Sequence, residues 1–325
     1  MSPVDAPGTE AAGAAPRTVT VIGAGTIGLG WIALFLGHGL RVRVNSRREE
    51  APAVVAEALD LFAPYLPEGT ADPAEFAARL EFEPDLERAV ADADVIVENA
   101  PENLELKQEL FERIGKAAPA GALILSSTST LDPDAMGARM ADSSRLVVGH
   151  PFNPPHVVPL VEVVAGERTA PEAVEEAVAF FESVSRVPIV LHRPILAFAA
   201  NRLQSALLRE SVHLVREGVV TLEELDRVVT HSIGLRWATV GPFLAFHLGG
   251  GQGGLRKWLG TLGSGLERGW EVLGRPSMDQ ATIDSLIEQA EAAYGSRSYE
   301  EWVQVRDAKQ TAILRSLAEV DRNQA

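Results

Sequence analysis

The sequence predicts an α/β protein, a doubly wound, mostly parallel sheet followed by an all-helical C-terminal domain. Three observations predict it. Val19-Thr20-Val21-Ile22 runs straight into Gly23-Ala24-Gly25-Thr26-Ile27-Gly28 and then into an apolar helical pattern through Ile32-Ala33-Leu34-Phe35-Leu36. Short β-branched runs then alternate with helical patterns as far as Leu191, the order a parallel sheet with crossover helices requires. Beyond Pro194 the strong strand signals stop, and the periodic segments read as helices.

The first segment carries the most chemistry. Strand, Gly-x-Gly-x-x-Gly turn and helix in that order form the dinucleotide-binding fingerprint of the Rossmann fold. Gly23 permits the tight turn, Gly25 lets the backbone approach a pyrophosphate, and Gly28 lets the helix pack on the strand. Thr26 and Ile27 open the helix, whose N-terminal N–H groups face the phosphates. Arg41-Val42-Arg43-Val44 is the second strand, and Asn45-Ser46-Arg47-Arg48 follows it. The residue at this strand end meets the adenosine ribose, and a carboxylate there disfavours a 2′-phosphate. Here there is none, and two guanidinium groups follow. That favours NADP(H) over NAD(H), with Asn45, Ser46, Arg47 and Arg48 at the ribose. Alternatively, Glu49 and Glu50 pair with the two arginines at the next helix start.

Residues 49–79 read as a helical excursion broken by prolines. Leu80-Glu81-Phe82 is a short strand and Asp94–Glu98 a stronger one. An amphipathic helix follows through Leu104, Leu106, Leu110, Phe111 and Ile114. Ala122–Ser126 is a buried strand that ends in the hydroxyl run Ser126-Ser127-Thr128-Ser129-Thr130, and Asp132-Pro133 opens a helix. Arg145–Gly149 is the next strand and delivers His150 ahead of a proline-rich turn. Leu160-Val161-Glu162-Val163-Val164 then places a carboxylate inside an apolar strand, rare unless it is paired. Pro171–Val184 is a helix and Ile189–Leu191 the last strand. In the helical part, Ile195–Val215 and Leu222–His231 are helices, the second capped by Thr221. Residues 234–243 read as a loop carrying Arg236 and Trp237, and 249–254 as a flexible glycine segment. Helices over about 255–272, 279–294 and 299–319 finish the chain.

Length and charge bound the rest. At 325 residues two domains are expected. The net charge of −16 argues against nucleic acid or an anionic membrane as a partner. With no cysteine there is neither a disulfide framework nor a thiolate metal site, and no metal is expected. No apolar run is long enough to span a bilayer. Met1–Pro16 lacks the basic start and apolar core of a signal peptide and reads as a disordered leader. The expected division is 1–16 leader, 17–193 dinucleotide-binding domain and 194–325 helical substrate and dimerisation domain, in a cytoplasmic protein.

Strand ends facing one crevice are where open α/β sheets place ligands, and Glu98, Ser129 and His150 sit at or just past such ends. Glu162 lies one strand beyond His150, where the chain can return beside it. A histidine oriented by a buried carboxylate is an acid–base arrangement that can pass a proton to a carbonyl receiving hydride. Taken alone, His150 is equally a turn histidine bound to backbone.

The glycine turn, Glu98-Asn99-Ala100-Pro101-Glu102-Asn103-Leu104 with Lys107, Ser126–Leu131, Gly149–Pro154, Leu160–Val163 and Asn201-Arg202-Leu203 occur in this order. Together they resemble the 3-hydroxyacyl-CoA dehydrogenase family over about residues 18 to 245. The resemblance implies His150 as general acid/base, Glu162 as its orienting partner, and Ser129 and Asn201 on the substrate oxygen. It places Glu102 and Lys107 among the cofactor-binding residues, the active site between the two domains, and the chain in a homodimer. Gly234-Leu235-Arg236-Trp237 ahead of Gly241-Pro242-Phe243 is similar to the branch acting on free hydroxy acids. There Arg236 could hold a substrate carboxylate through two hydrogen bonds.

The expected reaction is hydride transfer between the nicotinamide and C3 of a 3-hydroxy or 3-keto acid. The lack of an acidic residue at Asn45 points toward NADPH and reduction, and the resemblance to reductases of aromatic polyketide pathways then implies a polyketide β-keto acid as substrate. Carnitine and a sugar acid such as gulonate are the alternatives. Trp237, Phe243 and Phe246 could cradle a trimethylammonium group or a bulky aromatic ligand. The alternative of another class is a non-catalytic, crystallin-like nucleotide-binding protein.

Overall fold

The computed structural model describes residues 17–66 and 72–324; the leader expected over Met1–Pro16 lies outside them. Among the described residues eight strands form one sheet: β1 Thr18–Ile22, β2 Arg41–Asn45, β3 Leu80–Phe82, β4 Val95–Glu98, β5 Leu123–Ser126, β6 Leu146–Pro151, β7 Leu160–Val164 and β8 Val187–Val190. Their order is β3-β2-β1-β4-β5-β6-β7-β8. Every neighbouring pair is parallel except β6 and β7, which run antiparallel.

The helices interleaved with these strands are α1 Thr26–Gly37, α2 Ala51–Phe62, α3 Pro73–Arg79, α4 Leu86–Val90, α5 Leu104–Ala117, α6 Pro133–Met136 and α7 Pro171–Ser183. The period-2 alternation of strand side chains sorts the core into two layers. Val95, Val97, Leu123, Leu125 and Val147 join Trp31, Ile32 and Phe35 of α1 and Phe180 and Phe181 of α7. Their neighbours Ile96, Ile124, Leu146 and Val148 point the other way, onto Phe111 and Ile114 of α5 and Met136 of α6. Covered on both faces, β4 and β5 are buried at every residue, as parallel strands between helices should be.

After β8 come α8 Ala199–Arg216, α9 Leu222–Thr230, α10 Ile233–Thr239, α11 Pro242–Gly249, α12 Gly254–Glu271, α13 Gln280–Tyr294 and α14 Tyr299–Gln324. Three expectations change here. The loop expected over 234–243 is mostly helical: Gly241 is the N-cap of α11 and Pro242 its first residue, where a missing N–H costs nothing. The glycine run contains a 3-10 turn, Gly251–Gly253, rather than free chain. The helix expected from Ile195 begins at Ala199, because Ala197 and Phe198 hold φ of 63° and 49°, outside the helical region.

Two compact units result. The first comprises the described residues up to Ala199 with Gln304–Ser316 and the chain from Asp321, so its boundary falls six residues beyond the expected one. Within it, Asp307 of α14 is fully buried with Oδ2 3.3 Å from His156 Nε2, and the His156 ring stacks on Phe62. The second unit comprises Ala200–Val303 with Leu317–Val320. In it α9 packs on α10 and α13, and α11 on α12. Thr221 and Glu224 form a capping box at the start of α9. Among the described residues no helix is long and apolar enough to cross a membrane.

Candidate active site

The glycine turn has the shape its sequence requires. Gly23 holds φ +92°, and a Cβ there would stand 2.9 Å from the Asn99 carbonyl oxygen. A Cβ on Gly28 would lie 1.9 Å from the Gly23 carbonyl oxygen. Gly25 differs: a Cβ there would meet nothing within 4 Å, so its bare face is open to a ligand. Gly25 is also the N-cap of α1, with no side chain bonded to the helix end and no acidic residue in the first turn. An anion at this terminus meets free N–H groups and the positive end of the helix dipole.

Beside the turn lies a cavity of about 660 Å³ whose lining includes Gly23, Gly25, Asn45, Arg47, Arg48 and Asn99. Ser46 lines it too. Asn99 Oδ1 is buried without a hydrogen-bond partner, an acceptor left for a ligand that donates. These features fit a dinucleotide. Asn45 is buried, and its Nδ2 donates to the carbonyls of Glu83 (2.9 Å) and Pro84 (3.1 Å). An aspartate would set its charge against those two carbonyls, so the amide is locally built in. Arg47 and Arg48 are exposed. Among the described residues neither forms an ion pair, with Glu49 and Glu50 or otherwise.

At the ends of β4 and β5 lies a connected polar network. Lys107 is 1% exposed; its Nζ donates to Glu98 Oε1 at 2.6 Å and to the Ala100 carbonyl at 3.2 Å. Glu98 also accepts from the Ala100 N–H and the Ser126 hydroxyl, each at 2.6 Å. Glu102 Oε2 is 3.7 Å from Lys107, while its Oε1 accepts from the Thr128 hydroxyl, from Ser129 N and Thr130 N at 3.1 Å, and from Thr130 Oγ1 at 2.7 Å. Burial pushes the Glu102 carboxyl up, but the Thr128 and Thr130 hydroxyls, the Lys107 charge and the Ser129 amide outweigh it and hold the group below the ordinary glutamate range. Glu102 thus shapes the loop that presents Ser129. Lys107 lies beneath that loop, against both Glu98 and Glu102. Sequence reasoning missed Glu98 as the hub. Its signal was a carboxylate ending the apolar run Val95-Ile96-Val97.

The antiparallel β6–β7 pair sets His150 directly opposite Glu162 in register. Both are buried, and His150 Nδ1 lies 2.8 Å from Glu162 Oε2. Phe152 meets the imidazole edge-on at 5.2 Å between ring centroids, and Phe198 lies tilted against it at 5.3 Å. The backbone N–H of Ala199 donates to Glu162 Oε1 at 2.8 Å. Just before it, Ala197 and Phe198 are left-handed, at a cost on the order of 1 kcal/mol each. The buried Phe198 ring, seated in the core layer with Phe111 and Ile124, holds the turn. Arg186 fixes the loop after β6 by donating to the Pro155 and Val158 carbonyls, and burial pulls its guanidinium down to about 10.

The other expected residues lie in the second unit. Asn201 is half-buried on α8, and Arg236 and Trp237 are exposed on α10. Phe243 is exposed, whereas Phe246 is stacked on Trp258 at 4.3 Å.

Chemically, the first unit joins an anion-binding turn and nucleotide cleft to a buried histidine whose partner is a carboxylate. Among the described residues no group of three or more acidic or histidine side chains is placed to hold a metal.

Comparison with known proteins agrees with this assembly. Residues 18–194 match the family model described as 3-hydroxyacyl-CoA dehydrogenase, NAD binding domain, and residues 198–273 the C-terminal domain model of that family. The chain is 41% identical over 320 residues to an L-carnitine dehydrogenase of Streptomyces griseus, covering 98% of this chain and 95% of that one. It is 40% identical to an L-carnitine dehydrogenase of Pseudomonas aeruginosa, covering 93% and 94%. A solved structure of a 5-formyl-3-hydroxy-2-methylpyridine 4-carboxylic acid 5-dehydrogenase, described as an NAD+ dependent dismutase, superposes with a TM-score of 0.76 at 28% identity, covering 94% and 99%. The chain belongs to the 3-hydroxyacyl-CoA dehydrogenase family and is an oxidoreductase acting on CH–OH, with a nicotinamide-dinucleotide-binding domain.

Proposed function

We propose that the protein interconverts a short free 3-hydroxy acid and its 3-keto acid, with L-carnitine or a close analogue as substrate. The observation that carries the reaction is the buried His150–Glu162 pair in facing register. The names of the relatives support a carnitine-type acid better than the polyketide β-keto acid that Asn45 suggested.

A nicotinamide bound in the cleft would accept or return the hydride at C3. His150 takes the proton of the 3-hydroxyl on oxidation and returns it on reduction. Glu162 holds the ring through Nδ1, and in this reading the imidazole meets the substrate oxygen through its other nitrogen. The flanking Phe152 and Phe198 rings keep water from the pair. In this reading Ser129 and Asn201 position the oxygen and Arg236 binds the substrate carboxylate. Trp237 and Phe243, whose faces are free for a cation, suit a trimethylammonium group.

On the nucleotide, NADP(H) over NAD(H) rests on this chain's own residues, the amide of Asn45 and the unpaired Arg47 and Arg48. The relatives lend it no support. A homodimer is consistent with the apolar side chains left exposed on the second unit, Leu203 and Leu208 of α8 and Leu248 of α11 among them.

The test is oxidation of L-carnitine and other 3-hydroxy acids, each beside its methyl ester, which lacks the carboxylate charge, by the wild type and Arg236→Ala. Turnover of the free acids is expected, with KM raised about tenfold or more in the variant for acids but not for esters. No turnover of any 3-hydroxy acid would overturn the reading. Equal effects on acid and ester would remove Arg236 from it.

A further inference from the structure

We propose that the Ser127 hydroxyl binds the nicotinamide riboside half of the dinucleotide, and that the buried indole of Trp31 is the positioning residue that holds it there. The inference rests on the reading of His150 as the residue that meets the reacting carbon.

The route follows from the sheet. β1, β4, β5 and β6 are consecutive neighbours. The cavity beside the glycine turn takes in Arg47, Arg48, Gly23 just past the end of β1, and Asn99, the first residue beyond β4. His150 lies on β6. A dinucleotide that begins in this cavity and brings its nicotinamide to His150 has to cross the end of β5. The first residue beyond β5 is Ser127, which is half-buried. In register Glu98 pairs with Ser126, and Ser126 with Val148, so Ser127 follows between Asn99 and the His150 end of β6.

Strand alternation decides its face. Leu123 and Leu125 join the core layer of α1, whereas Ile124 points the other way and Ser126 donates to Glu98 and meets Met136. Ser127 therefore returns to the α1 side. There Trp31 Nε1 donates to Ser127 Oγ at 3.0 Å. Trp31 is fully buried, stacked on Phe35 at 5.3 Å and tilted against Phe181 at 5.8 Å, so the donor is a rigid one. The Ser127 backbone is held as well, its N–H donating to the Glu98 carbonyl at 2.9 Å. The indole takes one lone pair of the hydroxyl and leaves its hydrogen. Among the described residues that hydrogen has no acceptor. A nicotinamide riboside supplies acceptors in its ribose and carboxamide oxygens. Because Ser127 is already held in place, little side-chain freedom is lost when one of them arrives.

Two variants of the full-length protein test this. Ser127→Ala deletes the hydroxyl. Trp31→Phe keeps an aromatic ring against Phe35 and deletes only the N–H donor and part of the ring. Kd is measured by titration calorimetry for NADH, NADPH and ADP, the last lacking the nicotinamide riboside. In Ser127→Ala the Kd of the dinucleotide that the wild type binds more tightly should rise about fivefold, the worth of one ordinary hydrogen bond, with that of ADP within about twofold. Trp31→Phe should show the same split in smaller measure. The double variant should match Ser127→Ala, because the indole acts through the hydroxyl.

A Ser127→Ala protein that binds the dinucleotide as the wild type does, or that loses ADP and dinucleotide alike, overturns the inference. Losses that add up in the double variant remove Trp31 from it. Should Trp31→Phe not fold, Ser127→Ala decides alone. These are binding measurements and need no turnover; a His150→Gln protein that still turns over at the wild-type rate overturns the reading of His150 instead.

Discussion

Glu98 on β4 and Glu162 on β7 are both buried carboxylates in apolar strands, 0% and 2% exposed, yet they keep different company. Glu98 is matched by a lysine, a backbone amide and a hydroxyl. Glu162 is matched by a histidine and a backbone amide. The Lys107–Glu98 contact is an ion pair at 2.6 Å that ties α5 to the sheet. A histidine can give its proton away. On the proposed reaction, burial alone does not make a carboxylate functional; the exchangeability of its partner's proton does.

The sharpest way to break that contrast is to remove each partner in turn. His150→Gln keeps a hydrogen-bonding side chain of similar size but cannot pass a proton. It should lower kcat about a thousandfold while nucleotide binding, followed by nicotinamide fluorescence, stays at its wild-type value. Lys107→Met should do the reverse. Leaving Glu98 buried and unpaired should lower unfolding stability by about 3–5 kcal/mol, measured by urea denaturation. Turnover per folded molecule should change far less than in His150→Gln. If Lys107→Met were instead fully stable and inactive, the division between a fixed and a working pair would fail.

Smaller effects should sharpen it at the nucleotide end. Arg47→Ala with Arg48→Ala should raise KM for NADPH about tenfold or more and leave KM for NADH within about twofold. Equal kcat/KM for the two nucleotides in the wild type would remove the preference for the phosphorylated one. The smallest effect concerns Glu102. Its carboxyl is held below the ordinary range in the fold, so its contribution is complete above the unfolded value and fades as pH falls through the folded one. In Glu102→Gln the loss of stability on acidification should be shallower than in the wild type by thermal melts between pH 6 and pH 3. Parallel curves would show that the group contributes nothing.

Much of this was legible in the sequence because local rules and global fold agree there. The glycine turn and the strand–helix alternation announced themselves through residues with few alternatives. The spacing from His150 to Glu162 also survived, since a short return strand brings residues twelve apart into register. The contact of Lys107 with Glu98 at the end of β4 was not legible, because a sequence does not show which way a long cation folds back. The start of α8 was misplaced for the opposite reason. Ala197 and Phe198 prefer helix on local grounds, and it is tertiary burial of the Phe198 ring that holds them left-handed. The 234–243 stretch reads as a loop in sequence, whereas Gly241-Pro242 marks the start of a helix.

The return of α14 to the first unit has a practical consequence for anyone who would cut or splice this protein. Asp307 is fully buried against His156 and bonded by Arg306, and Tyr65 donates to the Gln304 carbonyl. A fragment ending at residue 199 would leave His156 without the buried Asp307 carboxylate that faces it. A chimaera that exchanges the helical half with a relative must carry residues 304–316 with the nucleotide-binding half, because that stretch of the tail belongs to the head.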